Sequence, residues 1–145
     1  MIDVAIIAHH ERGGAAELAE RTAAWASERG HRAWVVPDDA AALGVDQLAS
    51  ERPPADADLV LSLGGDGTML RAVHLLEGAP VPLLGVNMGW LGYLTEVEAD
   101  QLPDSLDRFA LGPEAGKWHL DERLMLDVRA FGTDGGELGR WRALN

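Results

Sequence analysis

Residues 59–78 read LVLSLGGDGTMLRAVHLLEG, and this stretch decides the fold. The continuous apolar run at 59–63 predicts a strand that is buried on both faces. A turn rich in glycine follows, and then a helical pattern that places Met69, Leu70, Val73 and Leu76 on one face. Gly78 stands where this helix should end. A strand, a glycine turn and a helix in this order predict a βαβ unit and a parallel sheet.

The same alternation extends on both sides of this stretch. Further buried strands are predicted at 3–8, 32–37 and 81–86. Between the first two lies a predicted helix, ended by Gly30, whose buried face holds Leu18, Thr22, Trp25 and Ala26. Residues 38–58 read as a loop with one helical turn, because the Pro53-Pro54 pair forbids a long helix. The predicted fold class is α/β, a Rossmann-like parallel sheet with helices on both faces.

The last third of the sequence has a different character. A helix is predicted at 105–111, and the pattern at 123–131 then alternates between apolar and polar residues. A turn of composition GTDGGE and a second strand pattern follow, which together predict an antiparallel hairpin that includes Trp118 and Trp141. We expect two domains, an α/β domain at 1–112 and the start of a β-rich second domain at 113–145, cut short at Asn145.

Composition restricts the classes of function. The chain has 145 residues, a net charge of −12 and no cysteine, so it offers no disulfide and no thiolate ligand. An acidic surface repels nucleic acid and anionic lipid, so we expect neither as a partner. The apolar runs are too short to cross a bilayer. The first residues lack the pattern of a signal peptide, and we therefore expect a cytoplasmic protein.

The glycine turn GGDGT carries an aspartate, Asp66, in a place suited to phosphate. Glycines let an anion approach the main chain, and the start of the next helix offers free N–H groups. A carboxylate beside a phosphate is repelled by it, so it needs a function there. Accepting the proton of an attacking hydroxyl is such a function, and helping to place Mg²⁺ is another. The alternative is that Asp66 only caps the helix.

Several motifs in order resemble those of the NAD kinase family. GGDGT is shared by a kinase superfamily that also includes lipid kinases and phosphofructokinases. PLLGVNMGWLGYLTEVE, DERLMLDV and the terminal ALN follow it in the family's order. The resemblance implies phosphoryl transfer from ATP or polyphosphate to the 2′-hydroxyl of the adenosine ribose of NAD, giving NADP. It also implies nucleotides as partners, Mg²⁺ brought with ATP, and a homo-oligomer.

The resemblance assigns roles to residues of the glycine turn. Asp66 is the proton acceptor for the ribose hydroxyl, and Asp66 and Gly67 line the NAD site. Gly64 and Gly65 belong to the turn that the donor phosphates approach. Arg71 matches a basic position that contacts the nucleotide, although a solvated helix residue is the alternative.

Further positions also follow from the resemblance. Gly92, Tyr93 and Leu94 match a segment near the adenine of NAD, and Asn145 matches an asparagine that contacts NAD. Asn87 is a candidate ligand contact, with turn formation as the alternative. Trp90 departs from the family, because many relatives carry a basic residue there.

Two rival functions remain open at this stage. A lipid kinase would share GGDGT but should present an apolar or basic surface to a membrane. A non-catalytic nucleotide-binding fragment would bind its ligand without turnover. The family's β-rich domain completes the NAD pocket, so we expect residues 1–145 alone to have little activity. No metal site of protein ligands is predicted.

Overall fold

The structure is a computed structural model that describes residues 1–10, 13–89 and 92–144. Its strands are β1 (Asp3–Ala8), β2 (Arg32–Val35), β3 (Leu59–Gly64), β4 (Leu83–Asn87), β5 (Val97–Glu98), β6 (Met125–Phe131) and β7 (Glu137–Leu144). Its α-helices are α1 (Ala15–Glu28), α2 (Pro37–Leu43), α3 (Asp66–Leu75), α4 (Leu102–Ala110) and α5 (Gly112–Gly116). Short 3₁₀ turns cover Asp46–Leu48, Pro54–Asp56 and Ala99–Gln101.

The first five strands form one parallel sheet in the order β2-β1-β3-β4-β5. The chain runs from β1 outward to β2 and then crosses back over β1 to β3. This reversal of winding makes the carboxyl ends of β1 and β3 the topological switch point, where open α/β sheets bind ligands. The glycine turn after β3 lies at this point.

Both faces of the sheet are covered, as the apolar runs predicted. One core packs α1 and α4 against alternate residues of β1 and β3, including Val4, Ile6 and Leu61. The other packs Ala72 of α3 and Leu76, which follows the helix, against Ile7 and other residues of the opposite face. The predicted α/β class with a parallel sheet is therefore confirmed.

The predicted face of α1 is confirmed, because Leu18, Thr22, Trp25 and Ala26 are all buried. Gly30 follows the end of α1 with a φ of 72°, a backbone conformation that glycine adopts easily. The predicted face of α3 is wrong at Leu70, which is 47% exposed.

Three other details of the prediction need correction. Residues 37–43 form a helix of seven residues where a loop with one turn was predicted. Strand β5 was not predicted at all; it is two residues long and pairs with the end of β4. Trp118 precedes the hairpin, and its ring stacks on Phe109 with a centroid distance of 4.9 Å.

The predicted hairpin is present as β6 and β7, paired antiparallel with a register shift near Ala130. Almost all of its residues are exposed, including Leu126 and Trp141 at 53% and 55%. It contacts the rest of the chain where Nη1 of Arg142 donates a hydrogen bond to the Glu77 carbonyl at 2.6 Å. Within the described ranges, no helix has the length and apolar character needed to cross a membrane.

Candidate functional site

The glycine turn brings the end of β3 and the start of α3 close to the loop after β1. Gly64 is buried at the end of β3, and a Cβ there would lie 2.8 Å from Thr68 Cβ and 3.3 Å from His9 Cβ. Only glycine therefore fits between the first turn of α3 and the β1 loop. Gly65 is the N-cap residue of α3, and its carbonyl accepts hydrogen bonds from the Thr68 and Met69 N–H groups.

The start of α3 is suited to bind an anion. The first N–H groups of a helix have no intrahelical acceptor and carry a partial positive charge. In α3 these groups include those of Asp66 and Gly67. Gly67 is exposed, and no described atom lies within 4 Å of the position a Cβ would take. An anionic ligand can therefore reach the main chain here.

Asp66 does not cap α3. It is the first helical residue, and the described structure has no side-chain cap hydrogen bond at this helix. Its carboxylate instead accepts the Tyr93 N–H at 3.0 Å and the Leu94 N–H at 2.9 Å. These two hydrogen bonds hold the pKa of Asp66 below its ordinary value. Asp66 is therefore ionised at neutral pH and is bound to a segment 27 residues further along the chain.

The predicted residues Gly92 and Tyr93 thus meet the glycine turn through the backbone. The Tyr93 side chain has no part in the contact with Asp66, and the residue is 96% exposed. A Cβ at Gly92 would collide with the Asp66 carboxylate, lying 2.9 Å from Cγ. Glycine at this position is therefore what allows the close approach.

Asn87 lies beside the glycine turn, because it is the register partner of Gly64 in the sheet. It is buried, its Nδ2 donates to Glu98 Oε1 at 3.1 Å, and its Oδ1 accepts the Gly89 N–H at 3.1 Å. Both ends of the side chain thus bind the chain itself, which matches the turn-forming alternative. Asn87 also lines an open groove of about 370 Å³ between β4 and the start of α1, together with Arg21.

The Arg71 side chain is paired with a buried carboxylate, Asp39. Its Nη2 donates both to Asp39 Oδ2 and, at 3.1 Å, to the Ala8 carbonyl. Asp39 is fully buried and also accepts the Ala8 N–H at 2.8 Å, while its Oδ1 lies 2.7 Å from His10 Nε2. Arg71 is therefore neither a simply solvated residue nor placed against Asp66.

Asp39 is the residue that the sequence reading missed. It joins the carboxyl end of β1, the start of α2 and the middle of α3 at the switch point of the sheet. A local signal was available, since Pro37 followed by two aspartates is typical of a first helical turn. No local signal could show that Asp39 is buried and paired.

Two predicted positions, Asn145 and Trp90, lie outside the described residues. Among the described residues, no group of three or more His, Asp or Glu side chains is placed to hold a metal ion. A larger groove of about 480 Å³ lies beside the edge strand β2, lined by residues such as Arg32, Trp34 and Arg52. Its described lining includes no residue of the glycine turn.

Comparison with known proteins adds independent information. A family model described as the ATP-NAD kinase N-terminal domain matches residues 4–113. The chain is 43% identical over 105 residues to the NAD kinase of Corynebacterium diphtheriae, which covers 71% of this chain and 32% of that protein. It is 35% identical over 151 residues to the NAD kinase of Heliobacterium modesticaldum, which covers 100% of this chain and 50% of that protein.

A solved structure shows the same fold. The crystal structure of yeast NADH kinase complexed with NADH matches with a TM-score of 0.75 at 19% sequence identity, covering 100% of this chain and 44% of that chain. The chain thus spans between about a third and a half of the length of these relatives.

Proposed function

The chain belongs to the NAD kinase family, and on that premise we propose that it contributes the phosphoryl-transfer site of an NAD kinase. The donor is ATP or polyphosphate, the acceptor is the 2′-hydroxyl of the adenosine ribose of NAD, and the product is NADP. One observation carries this proposal beyond family membership. The Asp66 carboxylate lies inside a glycine turn, at a helix start that can bind phosphate.

The proposed reaction is an in-line displacement. The ribose 2′-oxygen forms a bond to the terminal phosphorus of the donor, and the bond from that phosphorus to the bridging oxygen breaks. Asp66 accepts the hydroxyl proton, and the shortened donor, ADP when ATP is used, leaves with the bonding electrons. The N–H groups at the start of α3 and the open backbone at Gly65 and Gly67 support phosphate at this place.

The contacts of the other predicted residues support their proposed roles to different degrees. The close approach of Gly92 and Tyr93 to Asp66 supports a place for both residues near the acceptor. Nη2 of Arg71 donates hydrogen bonds to Asp39 and to the Ala8 carbonyl. The other guanidinium N–H groups can donate to a nucleotide phosphate. Asn87 is already engaged by Glu98 and Gly89, so a ligand contact there would have to replace one of these bonds.

Further parts of the proposal concern the whole protein. We propose that Mg²⁺ enters with ATP as part of the substrate, because Mg²⁺ is usually bound through substrate phosphates at phosphoryl-transfer sites. Residues 113–145 are proposed to begin a second, β-rich domain, because the matched N-terminal domain ends at 113. The exposed apolar side chains of the hairpin support a homo-oligomer. We also propose a cytoplasmic location.

The test is NADP formation by the gene product that contains residues 1–145, with ATP and NAD as substrates. Asp66→Asn should lower kcat by about 10²–10⁴-fold, the usual worth of a general base. Asp121→Asn is the matched control, since it removes an exposed carboxylate that does not contact the glycine turn among the described residues and is paired with Arg123. An Asp66→Asn enzyme with wild-type turnover would falsify the assignment of the base.

Two alternatives give different results in the same assay. A lipid kinase would phosphorylate diacylglycerol and leave NAD unchanged. A non-catalytic module would bind NAD or ATP in a calorimeter and form no product. The match of residues 4–113 to the NAD kinase family favours NAD as the acceptor.

A further inference from the structure

Among the described residues, the hydrogen bonds that the Asp66 carboxylate accepts come from two main-chain N–H groups, those of Tyr93 and Leu94. The Tyr93 N–H binds Oδ2 and the Leu94 N–H binds Oδ1, so each carboxylate oxygen has one fixed donor. A pair of such bonds fixes both the position of the carboxylate and its rotation. Each oxygen can accept more than one hydrogen bond, so the carboxylate keeps capacity for a substrate hydroxyl.

Gly92 makes this arrangement sterically possible. All three of the atoms nearest to the position of an added Cβ belong to the Asp66 carboxylate: Oδ1, Cγ at 2.9 Å and Oδ2 at 3.2 Å. Gly65 and Gly67, the other glycines beside Asp66, have no described atom within 4 Å of that position. The collision is therefore specific to Gly92 and to the one side chain proposed to take the proton.

We propose that Gly92 is a positioning residue, whose missing side chain lets the main chain at 92–94 hold the Asp66 carboxylate in its working orientation. The inference rests on the proposed function, because it takes Asp66 to be the proton acceptor. Gly92 would contribute to catalysis by keeping the Asp66 carboxylate in place. Misplacing a reacting group by about 1 Å can cost about 10²-fold in rate.

A methyl group at Gly92 should displace the carboxylate without unfolding the protein. The atoms in its way are the far end of a rotatable side chain, and no backbone atom is among the three nearest. Asp66 is partly exposed, so it can rotate towards solvent and remain hydrated. Gly92→Ala should therefore leave the fold intact and release the base from its two N–H donors.

The experiment compares Gly92→Ala with the wild type and with Gly136→Ala in the gene product that contains residues 1–145. Gly136 is the matched control, because it lies in the exposed hairpin turn, its φ is not positive, and the nearest described atom to an added Cβ is Asp134 Oδ1 at 3.4 Å. We expect Gly92→Ala to lower kcat by about 10²-fold, with an unchanged KM for ATP and an unchanged melting temperature. Carbon-13 NMR of the aspartate carboxyls should show the pKa of Asp66 rising towards its ordinary value.

Two results would overturn the proposed role of Gly92. An unchanged kcat together with an unchanged Asp66 pKa would overturn the inference. A fall in kcat that tracks a fall in melting temperature, with the Asp66 pKa unmoved, would also overturn it by showing a structural role. If Asp66→Asn keeps full turnover, the proposed function fails instead. The NMR titration of Gly92→Ala would still show whether residues 92–94 fix the carboxylate.

Discussion

Replacing Arg71 by alanine should destabilise the fold, because it leaves the buried Asp39 carboxylate without its cation. Removing one partner of a buried ion pair costs about 3–5 kcal/mol. We expect the lower end, about 3 kcal/mol, for two reasons. The Arg71 side chain is 38% exposed while Asp39 is fully buried, and Asp39 keeps its contacts with the Ala8 N–H and His10.

The loss should be visible by thermal and chemical denaturation. For a domain of this size each kcal/mol shifts the melting temperature by about 2–4 °C, so Arg71→Ala should melt about 6–12 °C below the wild type. Urea unfolding followed by circular dichroism gives the free energy directly. Arg123→Ala is the matched control, because it breaks an exposed pair with Asp121 that is worth less than about 1 kcal/mol.

The double variant tests the cause of the loss. Asp39→Asn removes the buried charge and keeps an oxygen that can accept the Ala8 N–H. Adding it to Arg71→Ala should therefore restore at least about 1 kcal/mol, a coupling that contacting residues often show. If Arg71→Ala unfolds at the wild-type urea concentration, or if the double variant is less stable than Arg71→Ala, then Asp39 is not a charge that depends on Arg71.

Three further predictions follow from the described contacts. Two N–H donors lower the pKa of Asp66, so kcat/KM should show no decline due to Asp66 between about pH 5 and pH 8; a decline in this range that Asp66→Asn abolishes would contradict this. The pKa of Asp3 is lowered chiefly by its hydrogen bond from Arg32, so Asp3 stabilises the fold above about pH 4. The deficit of Asp3→Asn in urea should therefore disappear as pH falls through the lowered pKa, and a deficit that persists there would have another origin. The exposed hairpin should drive self-association of residues 1–145, so light scattering should give a lower molar mass for Leu126→Lys with Trp141→Lys than for the wild type, and equal masses would exclude this surface.

The parallel sheet was predictable because its evidence is local. β1 and β3 are buried at every residue, and a strand covered on both faces must be apolar throughout. The buried face of α1 was predictable for a similar reason, since Leu18, Thr22 and Trp25 recur at helical spacing over about two turns. Each of these signals lies within one element and needs no knowledge of its neighbours.

The errors arise where structure depends on distant partners or on short elements. α2 has seven residues, too few for a helical period to stand out among alanines. Asp39 is identified only by its partners, and Arg71 lies 32 residues away. Asp66 was open to interpretation as a helix cap because its true partners at 93 and 94 are equally remote. The local sequence pattern thus predicted the position of the glycine turn, but it could not predict which groups contact the Asp66 carboxylate.

The hydrogen bonds from Tyr93 and Leu94 also restrict the catalytic role that we propose for Asp66. N–H donors that stabilise the carboxylate lower its pKa and make it a weaker base. Phosphoryl transfer tolerates this, because its transition state is largely dissociative and asks little of the nucleophile before the donor bond has weakened. What it requires is that the attacking oxygen be held in line, and a carboxylate fixed by two N–H groups can orient a hydroxyl through a hydrogen bond. The geometry at 66 and 92–94 therefore favours an acceptor whose main contribution is orientation, with the proton transferred late in the reaction.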